Sequence, residues 1–198
     1  MFIAVLPPGD FTTLAAEYQY ERYGQEMNHS ITSKQLLIRR FERDDAEDFV
    51  SFMTDPESTR FLTFGEEQKS REGVKELLDV TIASYDSEAP LMAFAVEHQE
   101  SRQFIGFCGL TPREEGTVEI MYAVMPNERG KRYATEIAAT LAKYAVNQLG
   151  YRQVIAPVSP EHEVSKTVAL KAGFRDHGIS QNPGSSEIVH LFVFDGNS

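Results

Sequence analysis

Three short hydrophobic runs follow one another in the middle of the chain, at residues 91–97, 104–110 and 118–125. Polar turns at residues 99–102 and 112–116 separate them. Runs of this length between turn residues are typical of β-strands that pair with their sequence neighbours. The pattern therefore predicts an antiparallel meander of three strands, around which the other elements must pack.

The segments on both sides of this meander show helical or strand-like spacing of apolar residues. Strands are predicted at 36–41, 154–158 and 188–194, and helices at 46–53, 56–62, from about 70, at 130–149 and at 163–171. Asp44 and Glu47 resemble a capping box at the start of the first helix. The expected fold class is α+β, with helices covering a mostly antiparallel central sheet.

A length of 198 residues suits one domain with an added segment. Residues 1–33 lack the regular pattern of the rest, and residues 30–33 are interpreted as a polar linker. We therefore expect an N-terminal appendage over 1–33 and the functional domain over 34–198.

The charge balance narrows the class of partner. A formal net charge of −11 argues against a nucleic-acid partner, because phosphate backbones require clustered Lys and Arg. Cys108 is the single cysteine, so no internal disulfide can form, which suits a reducing cytoplasm. No apolar stretch reaches the length of a membrane span, and no membrane partner is expected.

The segment over 118–136 is the most informative about chemistry. A hydrophobic strand ends at Pro126, and a short loop with Arg129, Gly130 and Lys131 leads directly into the longest helix. The first turn of a helix directs unpaired N–H groups and a positive dipole end at one spot, which suits a pyrophosphate. Lys131 and Arg132 can add charge-assisted hydrogen bonds.

These residues resemble the GCN5-related N-acetyltransferase superfamily, and within it the branch of ribosomal-protein alanine acetyltransferases. The similarity extends over about 35–194 and includes five pieces in the family's order. They are residues 36–40 with Asp44, Asp45 and Ala46, the strand end at 122–126, the loop and helix start at 130–136, Ser165, and residues 171–174.

The resemblance implies acetyl-coenzyme A as the co-substrate and a central sheet that is splayed in the middle. It places the pantetheine along Val124 and Met125 and the pyrophosphate on the loop residues. These loop residues are Arg129, Gly130, Lys131, Arg132, Tyr133 and Ala134. The resemblance implies an enzyme that transfers an acetyl group to a primary amine.

Two positions depart from the family's pattern. Arg132 replaces a glycine of the loop, and we expect it to adopt ordinary helical angles within the first turn. His162 stands where the family often has an asparagine three residues before the serine of the penultimate helix. It is the candidate to replace the hydrogen bond of that amide to the cofactor, with loss of that contact as the alternative.

Three side chains are candidates for proton transfer. Glu119 interrupts an apolar strand and is the candidate base, with an outward-facing strand residue as the alternative. Ser165 is the candidate acid by its family position, with an ordinary first-turn serine as the alternative. Tyr122 can serve as the acid instead, with a core tyrosine as the alternative. A backbone N–H near Val124 is the candidate to polarise the thioester carbonyl.

The acceptor amine stays open at this point. A peptide α-amine is the preferred substrate, because its pKa near 8 makes it roughly 3 kcal/mol easier to deprotonate than lysine. The alternatives are a small-molecule amine acetyltransferase and a non-catalytic regulatory protein that binds acetyl-coenzyme A.

No metal is expected, since the histidines lack ligand spacing. The role of the appendage over 1–33 stays open, and covering the cleft and mediating a homodimer are the two roles to test.

Overall fold

The computed structural model describes residues 30–87, 89–183 and 186–196, without the side chain of Glu115. Residues 1–29 of the predicted appendage over 1–33 therefore lie outside the described residues. None of the described helices is long and apolar enough to cross a membrane.

Eight strands and five α-helices make up the described part of the chain. The strands are β1 (Ser30–Thr32), β2 (Leu36–Arg39), β3 (Ala93–His98), β4 (Phe104–Pro112), β5 (Thr117–Val124), β6 (Gln153–Val158), β7 (Arg175–Gln181) and β8 (Ile188–Phe194). The helices are α1 (Ala46–Met53), α2 (Pro56–Thr59), α3 (Arg71–Ser84), α4 (Tyr133–Asn147) and α5 (Glu163–Lys171).

The strands form one sheet in the order β1-β2-β3-β4-β5-β6-β8-β7. The meander β3–β4–β5 is antiparallel, as predicted. The pair of β5 with β6 is parallel, while the other neighbouring pairs are antiparallel. The fold is therefore α+β with a mostly antiparallel sheet, which confirms the predicted class.

Helices bury the two faces of the sheet in separate clusters. On one face α4 packs Ile137 and Leu141 against Ile120 and Val124 of β5. On the other face α1 and α3 pack against the meander, and Phe107 of β4 meets the rings of two α1 phenylalanines at 5.0 and 5.1 Å. Because side chains alternate along a strand, β5 contributes to both clusters.

Several predicted boundaries needed correction. Residues 30–33 are not simply a linker, because Ser30–Thr32 pairs with β2 as an edge strand. The sequence prediction missed β7, and α2 ends at Thr59 rather than Leu62. The capping interaction lies earlier than predicted, because the Asp45 carboxylate accepts the backbone N–H of Glu42 at 2.8 Å. Edge strands and short helices carry little apolar periodicity, which is the physical reason for these errors.

A buried ion-pair network joins β2, β3 and the turn before α1. The Arg39 guanidinium donates to both carboxylate oxygens of Asp45 at 2.8 Å and to Oε2 of Glu97 at 2.8 Å. Arg102 lies 2.7 Å from the other oxygen of Glu97. Asp45 and Glu97 are almost fully buried, so these cationic partners offset the cost of burying the two carboxylates.

Replacing Arg39 with methionine is expected to lower the free energy of unfolding by about 3 kcal/mol or more, because it leaves buried carboxylates with a lost partner. Urea denaturation measures the change. Arg71→Met is the matched control, since it removes an exposed ion pair with Glu47. Equal midpoints for the two variants would contradict a structural role for the buried network.

Candidate active site

The cleft of the molecule opens where β5 and β6 stop pairing. They form parallel pairs only between Thr117–Glu119 and Gln153–Ile155, whereas both strands continue beyond that point. Pro157 has no N–H with which to extend the ladder. The divergence confirms the predicted splaying of the central sheet.

A cavity of about 810 Å³ fills the space between the diverging strands. Residues of β5 line one side, residues of β6 line the other, and side chains from α2, α5 and β8 lie around the opening. The volume is within the range of small-molecule and cofactor sites.

The backbone of β5 presents alternate amides to this cavity. The Met125 N–H donates to the Ile105 carbonyl of β4 at 2.9 Å, so the amides of Ala123 and Met121 also face β4. The same alternation directs the N–H groups of Tyr122 and Val124 towards the cleft. An extended amide-bearing ligand can pair with them, while Met125 is already engaged.

Glycine at position 106 permits the close approach of β4 to this part of β5. A Cβ atom there would lie 2.1 Å from the carbonyl oxygen of Ala123, which is a severe clash with backbone. Gly106 is paired with Val124, the last residue of β5. The missing side chain therefore keeps β5 on β4 at the point where β5 has already left β6.

The structure brings seven of the predicted site residues to the cavity. Those that line it are Glu119, Tyr122, Val124, Arg129, Ala134, His162 and Ser165. The other predicted residues lie outside its lining, and these are Met125, Gly130, Lys131, Arg132 and Tyr133. Tyr133 is instead a buried member of the core under α4.

Glu119 lies at the apex of the cleft. It is the last residue of β5 that pairs with β6, and it is 1% exposed. Arg113 donates to its Oε2 atom from both Nε and Nη2, at 3.0 and 2.7 Å. The prediction had weighed Glu119 against an outward-facing strand residue, and its position is buried.

Tyr122 and Ser165 form a hydrogen-bonded pair on the other side of β5. The Tyr122 hydroxyl and Ser165 Oγ are 3.1 Å apart. Burial raises the pKa of Tyr122, and the bond to Ser165 partly opposes that shift, so the phenol stays protonated at neutral pH. Because Glu119 and Tyr122 are three residues apart on one strand, their side chains project to opposite faces of the sheet.

The loop before α4 has a conformation that differs from the prediction. Arg132 has a φ of 69°, in the left-handed region, and Gly130 has a φ of 81°. The expectation of helical angles at Arg132 was therefore wrong, and α4 begins at Tyr133 rather than Gly130. The family's glycine suits this position because a side chain in the left-handed region costs about 1–2 kcal/mol.

One basic side chain of this loop, Lys131, already has a partner. Lys131 Nζ lies 2.8 Å from Oε2 of the buried Glu128, and this bond raises the pKa of Lys131. Gln103 donates to the other oxygen of Glu128 at 3.0 Å. Glu128 thus links Lys131 to Gln103, which lies at the start of β4. The sequence prediction missed this link because Gln103 is distant in sequence.

Arg129 and His162 both contact the segment that follows α1. Arg129 donates to the Val124 carbonyl at 3.3 Å and to the Ser58 hydroxyl of α2 at 2.9 Å. His162 stacks on Phe61 with ring centroids 4.1 Å apart. Burial lowers the pKa of His162, and the nearby charges of Arg129 and Arg60 lower it further, so the imidazole is neutral at pH 7.

Comparison with known proteins identifies the family. The family model described as an acetyltransferase (GNAT) domain matches residues 35–175. The chain belongs to the GNAT acetyltransferase family. It is an acyltransferase that uses acetyl-coenzyme A to acetylate an amine. The GNAT match agrees with the cleft, in which strand backbone and a helix N-terminus meet.

A relative and two solved structures show how far the similarity extends. The uncharacterized N-acetyltransferase p20 of Bacillus licheniformis is 23% identical over 83% of this chain and 94% of that protein. Spermidine N-acetyltransferase from Vibrio cholerae, solved with CoA and spermine, is 20% identical with a TM-score of 0.66, over 81% of this chain and 95% of that one. Mycobacterium smegmatis RimJ, solved with CoA-disulfide, is 14% identical with a TM-score of 0.67, over 84% and 87% of the two chains.

Two substitutions at Arg132 separate the effect of its backbone conformation on stability from the effect of its charge. Arg132→Gly is expected to be about 1 kcal/mol more stable than Arg132→Ala, because both lose the guanidinium and only glycine accepts a positive φ without strain. Urea denaturation of the two variants without ligand measures the difference. Equal stabilities would show that the left-handed conformation is not held in the folded protein.

Proposed function

We propose that this GNAT enzyme acetylates the N-terminal α-amine of a peptide or protein. The observation that carries the proposal is Glu119 at the apex of the cleft, the one buried carboxylate among the described residues that line it. One carboxylate matches one ammonium group, and an α-ammonium gives up its proton more readily than a lysine by roughly 3 kcal/mol.

In this mechanism Glu119 takes a proton from the incoming ammonium. The neutral amine attacks the thioester carbonyl carbon, and the N–H of Val124 stabilises the negative charge that develops on the carbonyl oxygen. The tetrahedral intermediate collapses with cleavage of the C–S bond. Tyr122 gives its proton to the departing thiolate, and the phenolate regains one from the acetylated nitrogen through water. The proton on Glu119 returns to solvent.

Tyr122 is assigned the acid role and Ser165 the role of its support. A phenol is a stronger acid than an aliphatic hydroxyl, and the two oxygens are within hydrogen-bond distance. Opposite faces of β5 then carry the base and the acid, so the thioester lies between them when the cofactor occupies the cleft.

The loop before α4 is assigned to the pyrophosphate of acetyl-coenzyme A. The N–H groups of the first turn of α4 supply hydrogen bonds and the positive end of the helix dipole. Ala134 and Arg129, which line the cavity, lie on the path from the loop to the thioester. RimJ, a neighbour solved with CoA-disulfide, supports this assignment by the similarity of its fold.

A small polyamine is the second candidate acceptor. Glu57 and Glu187 are exposed and lie at the rim of the same cavity, where they can attract further cationic groups. The neighbouring spermidine N-acetyltransferase was solved with spermine. The guanidinium groups of Arg60 and Arg129 also line the cavity and oppose a polycation, so the α-amine remains the first candidate.

Acceptor preference is measured by release of free thiol from acetyl-coenzyme A. A lysine-free peptide with a free N-terminal alanine is expected to release thiol faster than spermidine at equal concentration, and the same peptide with a blocked N-terminus should release none. Faster release with spermidine would transfer the assignment to the small-amine candidate. Binding of acetyl-coenzyme A without release for any amine would favour the non-catalytic alternative.

The acid assignment predicts different effects at the two hydroxyl groups. Tyr122→Phe is expected to lower kcat about 100-fold or more, because it removes the proton donor and keeps the ring. Ser165→Ala is expected to lower kcat less, and both variants should bind acetyl-coenzyme A in calorimetric titration. A larger loss for Ser165→Ala would reverse the two roles.

A further inference from the structure

Arg113 occupies the turn that joins β4 to β5. It follows the last residue of β4, and its backbone N–H donates to the Thr117 carbonyl at 2.8 Å. Its side chain runs alongside β5 to Glu119, and it is 19% exposed. Arg113 does not line the cavity.

The contact between the two side chains is concentrated on one atom. Both Nε and Nη2 of Arg113 bond Oε2 of Glu119. Among the described residues, Arg113 is the single cation within ion-pair distance of this carboxylate. Oε1 is therefore the oxygen on which Glu119 can receive the proton of an acceptor.

A carboxylate as buried as Glu119 is costly to ionise without a partner. The base must be ionised before it can accept a proton. We propose that Arg113 is a positioning residue for acetyl transfer, which compensates the buried charge of Glu119 and fixes the direction of its free oxygen. The inference rests on the proposed function of Glu119 as the base.

The placement of Arg113 separates its effect from cofactor binding. The turn before β5 holds Arg113, whereas the loop for the pyrophosphate follows the other end of the same strand. A change at Arg113 should therefore alter turnover and leave the affinity for acetyl-coenzyme A unchanged.

The first experiment compares Arg113→Gln and Arg113→Lys with the native protein, using the alanine-initiated peptide and acetyl-coenzyme A. Arg113→Gln is expected to lower kcat at least 10-fold, with the calorimetric Kd for acetyl-coenzyme A within 2-fold of native. Arg113→Lys should recover part of the loss, because it restores the charge without the two-pronged contact. Arg71→Gln, which breaks an exposed Arg–Glu pair, is the matched control and should retain native kcat.

A double-mutant cycle with Glu119→Gln distinguishes this inference from the proposed function. If Arg113 acts through Glu119, the double variant has the kcat of Glu119→Gln alone. A native kcat for Arg113→Gln, or losses that multiply in the double variant, would overturn the positioning role while leaving Glu119 as the base. A native kcat for Glu119→Gln would instead overturn both the base assignment and the role of Arg113.

Discussion

The parallel pairing of β5 with β6 ends after Glu119 and Ile155, and the position of that end determines the geometry of the site. Up to this point the two strands share a ladder, so the sheet is continuous and rigid. Beyond it β5 stays on β4 and β6 stays on β8. The backbone of β5 is thereby left facing a cavity, which is the arrangement that an extended amide-bearing cofactor requires.

In the described part of the chain, each buried acidic side chain forms an ion pair with a basic side chain. Asp45 and Glu97 share Arg39, Glu119 pairs with Arg113, and Glu128 pairs with Lys131. The chain has 19 Lys and Arg residues against 30 Asp and Glu residues, and these pairs place several of the cations at structural positions. Buried ion pairs therefore hold the ends of strands and loops in place, while most of the other described Asp and Glu side chains lie on the surface.

The sequence was sufficient for the parts of the fold that carry strong periodicity. The apolar stripe of α1, the bounds of α5 and the order of the meander strands follow from the spacing of apolar residues. The polar edge strand β7 carries no such signal, and it was missed. The backbone angle of Arg132 depends on how the loop meets α4, which a residue's type does not specify.

The site also has a part that the sequence predicts and a part that it does not. Glu119 was located by its place in an apolar strand and Ser165 by the family resemblance, with Tyr122 as the alternative acid, and the structure places all three at one cavity. The contacts that site residues make with distant parts of the chain could not be predicted from the sequence. His162, for example, stacks on Phe61, which lies about 100 positions earlier. Arg113 is the exception that the sequence could have revealed, because a hairpin turn places an arginine six residues before a strand glutamate within reach of it.

We propose that acetyl-coenzyme A lies along the open side of β5. Residue-resolved amide hydrogen exchange, measured by NMR with and without acetyl-coenzyme A, tests this placement. We expect slower exchange at the amides of Tyr122 and Val124 and in the first turn of α4. The amides of Met121 and Ala123, which face β4, should be unaffected. Unchanged exchange at Tyr122 and Val124 with saturating ligand, or protection confined to another part of the chain, would contradict it.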